Sequence, residues 1–369
     1  MNKFIPVNEP IFTGNEKKYL NECIDTGWVG SDGPFVEKFE ESLAKYCNRE
    51  YVSLVSNGSA ALEIAFKALD IRDGDEIIMP SHTIISCAAA ITKLGALPVL
   101  IDSDETWNMN VDLIEQKITN KTKAILAVHT YGFPVDMDKV ISLANKHNLY
   151  VVEDAAEMIG QKYKDKECGS MGDISIFSFY PNKHITTGEG GACLTNNKDL
   201  IDRCNYYKNL CFEVPRFVHT DIGWNYRFSN VQAAIGLAQL EKLEEHIDKK
   251  RKIGYRYTEL LSNNDNFTLQ PVKLGYAENI WWVFGVLIAN TSAHNARNVI
   301  DILSNRNIGT RPFFYPIHKQ PVYKNIKSFQ EIKHPVSENL AQKGFYIPSG
   351  LALTEEDIEI VAAEVNAIF

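Results

Sequence analysis

The 369-residue sequence predicts an α/β protein whose larger part is built on a mostly parallel β-sheet. Short apolar runs rich in β-branched residues recur between residues 51 and 179, and helical patterns separate them. Strands that alternate with helices are typical of parallel sheets covered on both faces. After residue 261 the sequence predicts one strand and two helices. The sequence therefore predicts a large α/β domain at residues 1–240, with an N-terminal helical segment, and a smaller α+β domain at residues 241–369.

The individual elements follow from periodicity, because apolar residues three and four apart share one helix face and strands are short apolar runs. Predicted helices of the first domain lie at residues 15–26, 35–46, 61–68, 112–118, 137–147 and 198–209. Predicted strands lie at residues 51–55, 76–79, 97–101, 124–129, 149–152 and 174–179. One long helix over residues 231–261 links the domains, followed by a strand at 281–287, a helix near 293–305 and a final helix from Glu355. Thr354 and the acids after it suit the start of that last helix.

Composition limits the kinds of binding partner and the cellular compartment that we expect for this protein. A net charge of −9 offers no basic face for nucleic acid. The seven cysteines are scattered and include no C-x-x-C pair, which favours free thiols in a reducing cytosol over a disulfide framework, and no metal is expected. The first residues, MNKFIPVNEPIF, lack the apolar core of a signal peptide, and no apolar run is long enough to span a membrane. We therefore expect a cytoplasmic protein with neither nucleic-acid nor membrane partners.

Polar residues cluster where two neighbouring predicted strands end. Glu153 and Asp154 follow the strand at 149–152, while Ser178 and Lys183 accompany the end of the strand at 174–179. Ligands of α/β sheets bind at the carboxyl ends of strands, so an acid and a lysine there indicate a site. An acid facing a lysine could also be a plain salt bridge. The accompanying hydroxyls and glycines favour a ligand site; they are Ser178, Thr186, Thr187, Gly188, Gly190 and Gly191.

A second candidate feature is the turn Ser56-Asn57-Gly58-Ser59-Ala60 between the first strand and its helix. Backbone N–H groups at a helix N-terminus favour a phosphate, although Ser59 could merely cap the helix. The turn lacks a G-x-G-x-x-G pattern, which a nicotinamide-binding oxidoreductase would need.

The segment from Glu153 to Gly191 resembles the active-site region of the DegT/DnrJ/EryC1/StrS family, pyridoxal-phosphate-dependent aminotransferases of nucleotide-linked keto sugars. The family pattern reads E-D-x-A-[EQ], then G-D, then S-F-x-x-x-K-x-x-x-T-G-E-G-G. In this sequence it stands as Glu153–Glu157, Gly172-Asp173 and Ser178–Gly191. The resemblance extends from about Ile5 to the C-terminus. It implies an aspartate-aminotransferase-like (fold type I) structure with pyridoxal 5'-phosphate as the cofactor.

Carried over position by position, the resemblance implies a role for each matched side chain. Lys183 attaches the coenzyme and moves protons, and Asp154 holds the pyridine nitrogen protonated. Glu157 lies near the ring hydroxyl, Ser178 bonds the phosphate, and Glu153 plays a structural part. The phosphate cup further includes Gly58, Ser59 and Ala60.

Two implied positions leave alternatives open. The family usually has an aromatic residue where Ile84 stands, so either Ile84 packs on the coenzyme ring or His82 takes over part of that role. Asn225 lies in a G-x-N-x-R motif at residues 223–227. In relatives this asparagine reaches the coenzyme phosphate of the neighbouring subunit, which implies a homodimer with shared active sites. Alternatively, Asn225 is a plain loop residue between core aromatics.

The resemblance also implies substrates. The reaction is amination at C4 of a nucleotide-linked 4-keto-6-deoxy sugar, with L-glutamate as donor and 2-oxoglutarate as its product. GDP-4-keto-6-deoxy-D-mannose is favoured, and dTDP- or UDP-4-keto-6-deoxy-D-glucose or a 3-keto sugar are the alternatives. The loop at residues 28–34 shapes the sugar pocket or is only a connector. The expected substrate-binding residues are Trp28, His184, Arg311, Tyr315 and His318.

His184 raises a rival reaction, since a branch of the family has histidine in place of the lysine and dehydrates the sugar at C3. Counting back from Thr187-Gly188-Glu189 puts Lys183 at the family position, which favours the aminotransferase. A non-enzymatic regulator would be indicated by loss of Lys183 or Asp154, and neither is lost. The implied setting is the biosynthesis of O-antigen-like surface glycans, such as those of lipopolysaccharide.

Overall fold

A computed structural model describes residues 3–369 of the chain. Its first part contains seven strands of one large sheet and a small hairpin formed by β6 and β7. The strands, in chain order, are β1 (Tyr51–Val55), β2 (Glu76–Pro80), β3 (Leu97–Ile101), β4 (Thr122–Val128), β5 (Tyr150–Asp154), β6 (Lys162–Tyr163), β7 (Lys166–Glu167), β8 (Ile174–Ser178) and β9 (Gly191–Thr195). The spatial order of the large sheet is β1-β9-β8-β5-β4-β2-β3.

The predicted mostly parallel sheet is confirmed. Strand β9 runs antiparallel to both β1 and β8, and every other adjacent pair in the sheet is parallel. Because the parallel strands end at one edge, the polar residues that follow them meet there. Strand β9 is absent from the sequence prediction, since the glycines before it indicated only a turn.

Helices cover both faces of this sheet and the second, smaller sheet. Their bounds are α1 (Glu16–Thr26), α2 (Pro34–Tyr46), α3 (Gly58–Ala68), α4 (Ile85–Lys93), α5 (Met137–His147), α6 (Lys198–Lys208), α7 (Asn230–Leu240), α8 (Leu243–Leu261), α9 (Ala296–Asn305), α10 (Lys327–Gln330), α11 (Pro335–Lys343) and α12 (Glu355–Asn366). Helix α12 begins with the predicted cap, in which the side chains and backbone N–H groups of Thr354 and Asp357 bond reciprocally. Within residues 3–369, no helix combines the length and apolarity needed to span a bilayer.

Two helix predictions are wrong. The segment 112–118 forms two short 3₁₀ turns, in which the N–H groups of Ile114 and Ile118 bond the carbonyl oxygens three residues earlier. The segment 231–261 is two helices, which break at Glu241 and Lys242. The Glu241 carboxylate accepts hydrogen bonds from Tyr19 on α1 and from Asn15, the residue before that helix. The break contains neither proline nor glycine, and both helices bury apolar faces. The apolar periodicity of the sequence therefore continues across residues 241–242 and gives no sign of the break.

The second part of the chain is a four-stranded antiparallel sheet with its own apolar core. Its strands are β10 (Phe267–Leu269), β13 (Phe284–Ile288), β14 (Arg311–Pro312) and β15 (Gly344–Ile347), and β11 (Lys273–Leu274) pairs with β12 (Ala277–Glu278) as a hairpin. The N-terminal residue Ile5 belongs to this core and pairs with Ile308. The division at residue 240 stays a prediction. Residues 5–9 hydrogen-bond to the later unit, whereas α1 packs against α7 in the first.

Helix α8 joins the two cores. Leu243 and Ile247 pack in the first core, whereas Tyr257 packs in the second. Between these groups, the buried Lys250 ammonium donates hydrogen bonds to the carbonyl oxygens of Trp282 (2.8 Å) and Ser349 (2.5 Å). A lysine that is hydrogen-bonded only to carbonyls pays a desolvation cost that no carboxylate offsets.

We predict that this cost depends on pH. Burial lowers the pKa of Lys250 to about 7, whereas an unfolded lysine titrates near 10.4. Between pH 7 and pH 10.4, Lys250 is therefore protonated in the unfolded chain but mostly neutral in the folded one. Its burial destabilises the fold fully below pH 7, and this effect disappears above pH 10.4. The free energy of unfolding should rise relative to that of Lys250→Met by on the order of 3 kcal/mol from pH 7 to pH 10.

Urea denaturation of both proteins at pH 7, 8.5 and 10 measures this difference. The exposed Lys252, on the same helix, provides the control Lys252→Met, whose difference from wild type should not change with pH. A Lys250→Met difference that stays constant with pH contradicts the prediction.

Candidate active site

A cavity of about 590 Å³ opens at the carboxyl ends of β5 and β8. Asp154 is the last residue of β5 and Ser178 the last of β8, and the two strands pair directly. Glu157 and Lys183, on the turns that follow these strands, complete this side of the wall. Of the four side chains that the sequence predicted at the strand ends, the fold brings Asp154, Ser178 and Lys183 to the cavity, together with Glu157, which the resemblance implied. Glu153 lies outside the wall.

One end of the cavity wall is the N-terminus of α3. Asn57, Gly58 and Ser59 line it beside Ser178. A Cβ atom at Gly58 would lie 2.9 Å from the Cβ of Ser178, so only glycine allows this close approach. The expectation for Ala60 needs correction: Ala60 does not line the cavity, and its N–H donates to the Asn57 side chain (2.8 Å).

Asp154 presents a buried, oriented carboxylate. Its Oδ1 accepts a hydrogen bond from the Ala156 N–H (3.0 Å) and its Oδ2 accepts one from the Cys87 thiol (3.4 Å). Burial raises the pKa of Asp154, and these two hydrogen bonds and the nearby Lys183 oppose that rise.

Lys183 lies under an aromatic ring that the sequence did not predict for the site. Its Nζ is 4.0 Å from the centre of the Trp282 ring, which places the ammonium over the negative face of the indole. The Trp282 Nε1–H donates to the Asn182 carbonyl (2.8 Å), one residue before the lysine. Burial lowers the pKa of Lys183, and the carboxylates of Glu157 and Asp154 oppose this shift.

Glu157 is the third ionisable group of the wall. Its Oε2 accepts a hydrogen bond from the Tyr131 N–H (2.7 Å). Burial raises the pKa of Glu157, while Lys183 and the Tyr131 N–H act in the opposite direction. Desolvation thus pushes the lysine and both acids toward their uncharged forms.

The second unit closes the cavity with aromatic side chains. Trp282, Phe314 and Tyr346 line the wall, and all three come from the region after residue 241. Tyr131 packs behind them, with ring centres 5.4 Å from Phe314 and 6.3 Å from Trp282. The Phe314 N–H donates to the Tyr131 hydroxyl (2.9 Å). No local pattern could reveal these contacts, because they join residues more than 100 positions apart.

Glu153 holds the strand ends in place from behind the cavity. Its carboxylate accepts hydrogen bonds from the backbone N–H groups of Gly169, Met171 and Gly172, from the Ser175 hydroxyl and from His129. The Val135 N–H donates to His129 Nδ1 (3.1 Å), so the proton of the neutral ring is on Nε2, which donates to Glu153 (3.1 Å). Burial alone would raise the pKa of Glu153, yet these donors hold it at about 2. This geometry supports the structural part expected for Glu153.

The alternatives at residues 82 and 84 are separated by position. Ile84 lines the cavity and is 43% exposed. His82 is fully buried outside the wall, where its ring packs against Tyr131 and Phe313. The structure therefore brings Ile84, rather than His82, to the cavity.

None of the five predicted substrate-binding residues lines the cavity, and two of them are buried outside it. His184 is buried beneath the lysine turn, and its carbonyl accepts a hydrogen bond from His246 (2.9 Å). His318 is also buried, between the Ser81 hydroxyl (2.7 Å) and the Glu338 carboxylate (3.0 Å). Both rings are buried outside the cavity, so neither is in position to contact a substrate there.

The other predicted residues lie on the surface. Trp28 lines a separate groove formed by the loop at residues 28–34 and the start of α2. Arg311 is exposed opposite the cavity residue Tyr346, and Tyr315 is exposed directly after Phe314. Asn225 is exposed, and its side-chain oxygen Oδ1 accepts hydrogen bonds from the Arg227 guanidinium (2.9 and 3.0 Å).

Known proteins share this architecture along the whole chain. The model of the DegT/DnrJ/EryC1/StrS aminotransferase family matches residues 10–366. A GDP-perosamine synthase of Escherichia coli O157:H7 is 44% identical, covering 100% of this chain and 99% of that protein, and one of Caulobacter vibrioides is 38% identical, covering 99% and 98%. The crystal structure of the aminotransferase TlmJ from Streptoalloteichus hindustanus has a TM-score of 0.92 at 28% identity, covering 98% of each chain. The predicted aminotransferase fold is confirmed.

We predict that Glu153→Gln destabilises the fold. The new NH₂ group cannot accept the hydrogen bonds that one carboxylate oxygen accepts now, so buried donors lose their partner. The expected loss is about 3–5 kcal/mol at pH 7. The glutamate has a folded pKa of about 2 against about 4.3 unfolded, so its stabilisation is present above pH 4.3 and is lost as the pH falls toward 2.

Denaturation followed by circular dichroism from pH 7 down to pH 3 measures both effects. The exposed Glu50 provides the matched control Glu50→Gln, which should change stability by less than about 0.5 kcal/mol. A Glu153→Gln protein as stable as the control at pH 7 contradicts the structural part assigned here.

Proposed function

Because this chain belongs to the DegT/DnrJ/EryC1/StrS aminotransferase family, we propose that it is a pyridoxal-phosphate-dependent enzyme that converts GDP-4-keto-6-deoxy-D-mannose to GDP-perosamine, with L-glutamate as the amino donor. The observation that carries this proposal is the cavity in which Lys183, Asp154 and a helix N-terminus meet. The relatives named GDP-perosamine synthase support the substrate, because their similarity covers the whole chain.

The donor set of the cavity fits pyridoxal 5'-phosphate. Gly58 and Ser59 at the start of α3, together with the Ser178 hydroxyl, offer N–H and O–H donors to a phosphate, and the helix dipole favours its charge. The close approach of Gly58 to Ser178 gathers these donors into one cradle. Asp154 offers a carboxylate to a protonated ring nitrogen, and Lys183 offers an amine to the aldehyde. The phosphate, the ring nitrogen and the aldehyde therefore each have a partner of suitable chemistry.

When bound, pyridoxal phosphate supplies the electron sink that lets an amino group leave one substrate and enter another. Lys183 provides the amine, and its lowered pKa increases the fraction that is neutral and able to attach to a carbonyl or accept a proton at Nζ. Asp154 stabilises positive charge at the ring nitrogen. Glu157, whose pKa is raised, retains a proton more readily and can donate it in a hydrogen bond to the ring oxygen. The Trp282 ring keeps the lysine amine in place and water away from one side of it.

The rival reaction at C3 is less well supported. In that alternative a histidine would face the reacting sugar in place of the lysine. Here the reacting position is Lys183, and the His184 ring is buried outside the cavity. Amination of dTDP- or UDP-4-keto-6-deoxy-D-glucose remains the alternative within the same chemistry.

We also propose that the active unit is a homodimer in which Asn225 reaches the coenzyme phosphate of the neighbouring subunit. The loop before Asn225 exposes apolar side chains that a partner would cover: Val214 is 98%, Phe217 73% and Ile222 86% exposed. A second copy is the occupant that the family resemblance implies.

The proposed setting is the cytoplasm, in the synthesis of a sugar for lipopolysaccharide O-antigen. The seven cysteines, all within residues 3–369, are buried free thiols, which is the usual state of cysteine in a reducing compartment.

We predict turnover with the GDP-linked substrate in an assay that offers GDP-, dTDP- and UDP-linked 4-keto-6-deoxy sugars in parallel. The assay contains pyridoxal phosphate and L-glutamate and follows 2-oxoglutarate and the amino sugar by mass spectrometry. Lys183→Ala should lower turnover by about 10³-fold or more, because it removes the amine that attaches and moves protons. Turnover with another nucleotide would replace GDP by the alternative, and no product from any of the three would overturn the proposal.

A second prediction concerns sharing of sites between subunits. Lys183→Ala and Asn225→Ala should each be impaired, but a co-expressed equal mixture should recover about one quarter of wild-type turnover. Half of the dimers are then hybrids, and each hybrid contains one site with both native residues. Hybrids isolated with two affinity tags should have about half of the wild-type turnover, because one of their two sites is intact. Hybrids no more active than the two parent proteins would contradict the cross-subunit role of Asn225.

A further inference from the structure

A buried thiol lies directly behind the Asp154 carboxylate. Cys87, on the first turn of α4, is fully buried, and its Sγ is 3.4 Å from Asp154 Oδ2. On its other side, Sγ is 3.6 Å from the Thr83 hydroxyl oxygen. An ionised carboxylate only accepts hydrogen bonds, so the thiol is the donor to Asp154, which leaves the sulfur free to accept from Thr83.

The thiol keeps its hydrogen under ordinary conditions. Burial raises the pKa of Cys87 well above its usual value, and the negative charge of Asp154 raises it further. The chain of donors therefore runs from Thr83 through Cys87 to Asp154. Cys87 itself does not line the cavity, although Ile84 and Ser86 on the same turn do.

Two donors from different elements hold the Asp154 carboxylate. The Ala156 N–H, on the turn after β5, bonds Oδ1, and the Cys87 thiol, on α4, bonds Oδ2. Rotation of the carboxylate about its Cβ–Cγ bond would break both hydrogen bonds. Lone pairs that these donors leave free remain available to a ligand in the cavity, and their direction is set before the ligand binds.

The other reading is that Cys87 is a small apolar residue that fills space. The remaining buried cysteines suit that reading better. The Cys193 thiol donates to the carbonyl of Ala61 and the Cys23 thiol to that of Asn230. Of the seven cysteines, all within the described residues, Cys87 is the one whose thiol is hydrogen-bonded to a carboxylate.

We propose that Cys87 is a positioning residue, which orients Asp154 toward the ring nitrogen of the coenzyme. This inference rests on the proposed function, because it assigns Asp154 that partner. Cys87 touches neither coenzyme nor substrate, and its whole effect passes through the carboxylate. Loss of the donor allows Asp154 to rotate, so coenzyme binding then includes the cost of reorienting it.

The test compares coenzyme affinity among variants of the full chain. Apo protein is titrated with pyridoxal phosphate, and binding is followed by quenching of tryptophan fluorescence, to which Trp282 in the cavity wall should respond. The dissociation constant should rise by about three- to tenfold in Cys87→Ala, as expected for one lost hydrogen bond. Cys87→Ser keeps a donor, so its dissociation constant should lie between those of wild type and Cys87→Ala.

The matched control is Cys204→Ala, the same change at an equally buried thiol on α6, which should leave the affinity unchanged. Comparison of the serine and alanine variants separates positioning from packing. Serine restores the hydrogen-bond donor but not the volume of the sulfur, so a role in packing alone predicts that Cys87→Ser binds no better than Cys87→Ala. Should Cys87→Ala not fold, Cys87→Val, which has no donor, replaces it.

An alanine variant that binds as tightly as wild type overturns the inference, as does a serine variant that binds as weakly as alanine. Failure of the wild-type protein to bind pyridoxal phosphate would instead overturn the proposed function. The two failures are therefore distinguishable in one titration series.

Discussion

The buried Glu153 carboxylate is the constraint on which the site depends. Its donors come from the end of β4, from the loop before β8 and from β8 itself, so one side chain holds three neighbouring segments together. Successive side chains on a strand point to opposite faces. Glu153 therefore faces this network while Asp154 faces the cavity. Any movement of β5 that broke the hydrogen bonds of Glu153 would also displace the Asp154 carboxylate. Arg49 supports the same loop by donating to the carbonyls of Gly169 and Gly172.

The second constraint is the contact between the two units. On α8, His246 donates to the carbonyl of His184, the residue after Lys183. Lys250 on the same helix donates to the carbonyl of Trp282, whose ring covers Lys183. Helix α8 thus hydrogen-bonds to both segments that form the contact between Lys183 and Trp282. Burial of Lys250 destabilises the fold, but its hydrogen bond to Trp282 helps to hold that side chain over the cavity.

The charges of the site follow from this enclosure. Desolvation lowers the pKa of Lys183 and raises those of Asp154 and Glu157. Each shift favours the uncharged form of that side chain. A phosphate and a protonated ring bring compensating charges into the same volume. A cluster of titratable groups whose pKa values are all shifted from their ordinary values is typical of catalytic sites.

The sequence by itself determined the mostly parallel sheet, the chain positions of six of its strands and the meeting of Asp154, Ser178 and Lys183, because these follow from local periodicity and from where strands end. Only the tertiary structure showed that Trp282, Phe314 and Tyr346 form the opposite wall and that Cys87 lies behind Asp154. It also removed Ala60, His184 and His318 from the cavity and divided the long helix after residue 230 into two. A local pattern reports which face of an element is apolar, but not which distant element covers that face. Those contacts depend on how the two cores pack around α8, and packing is a property of the whole chain.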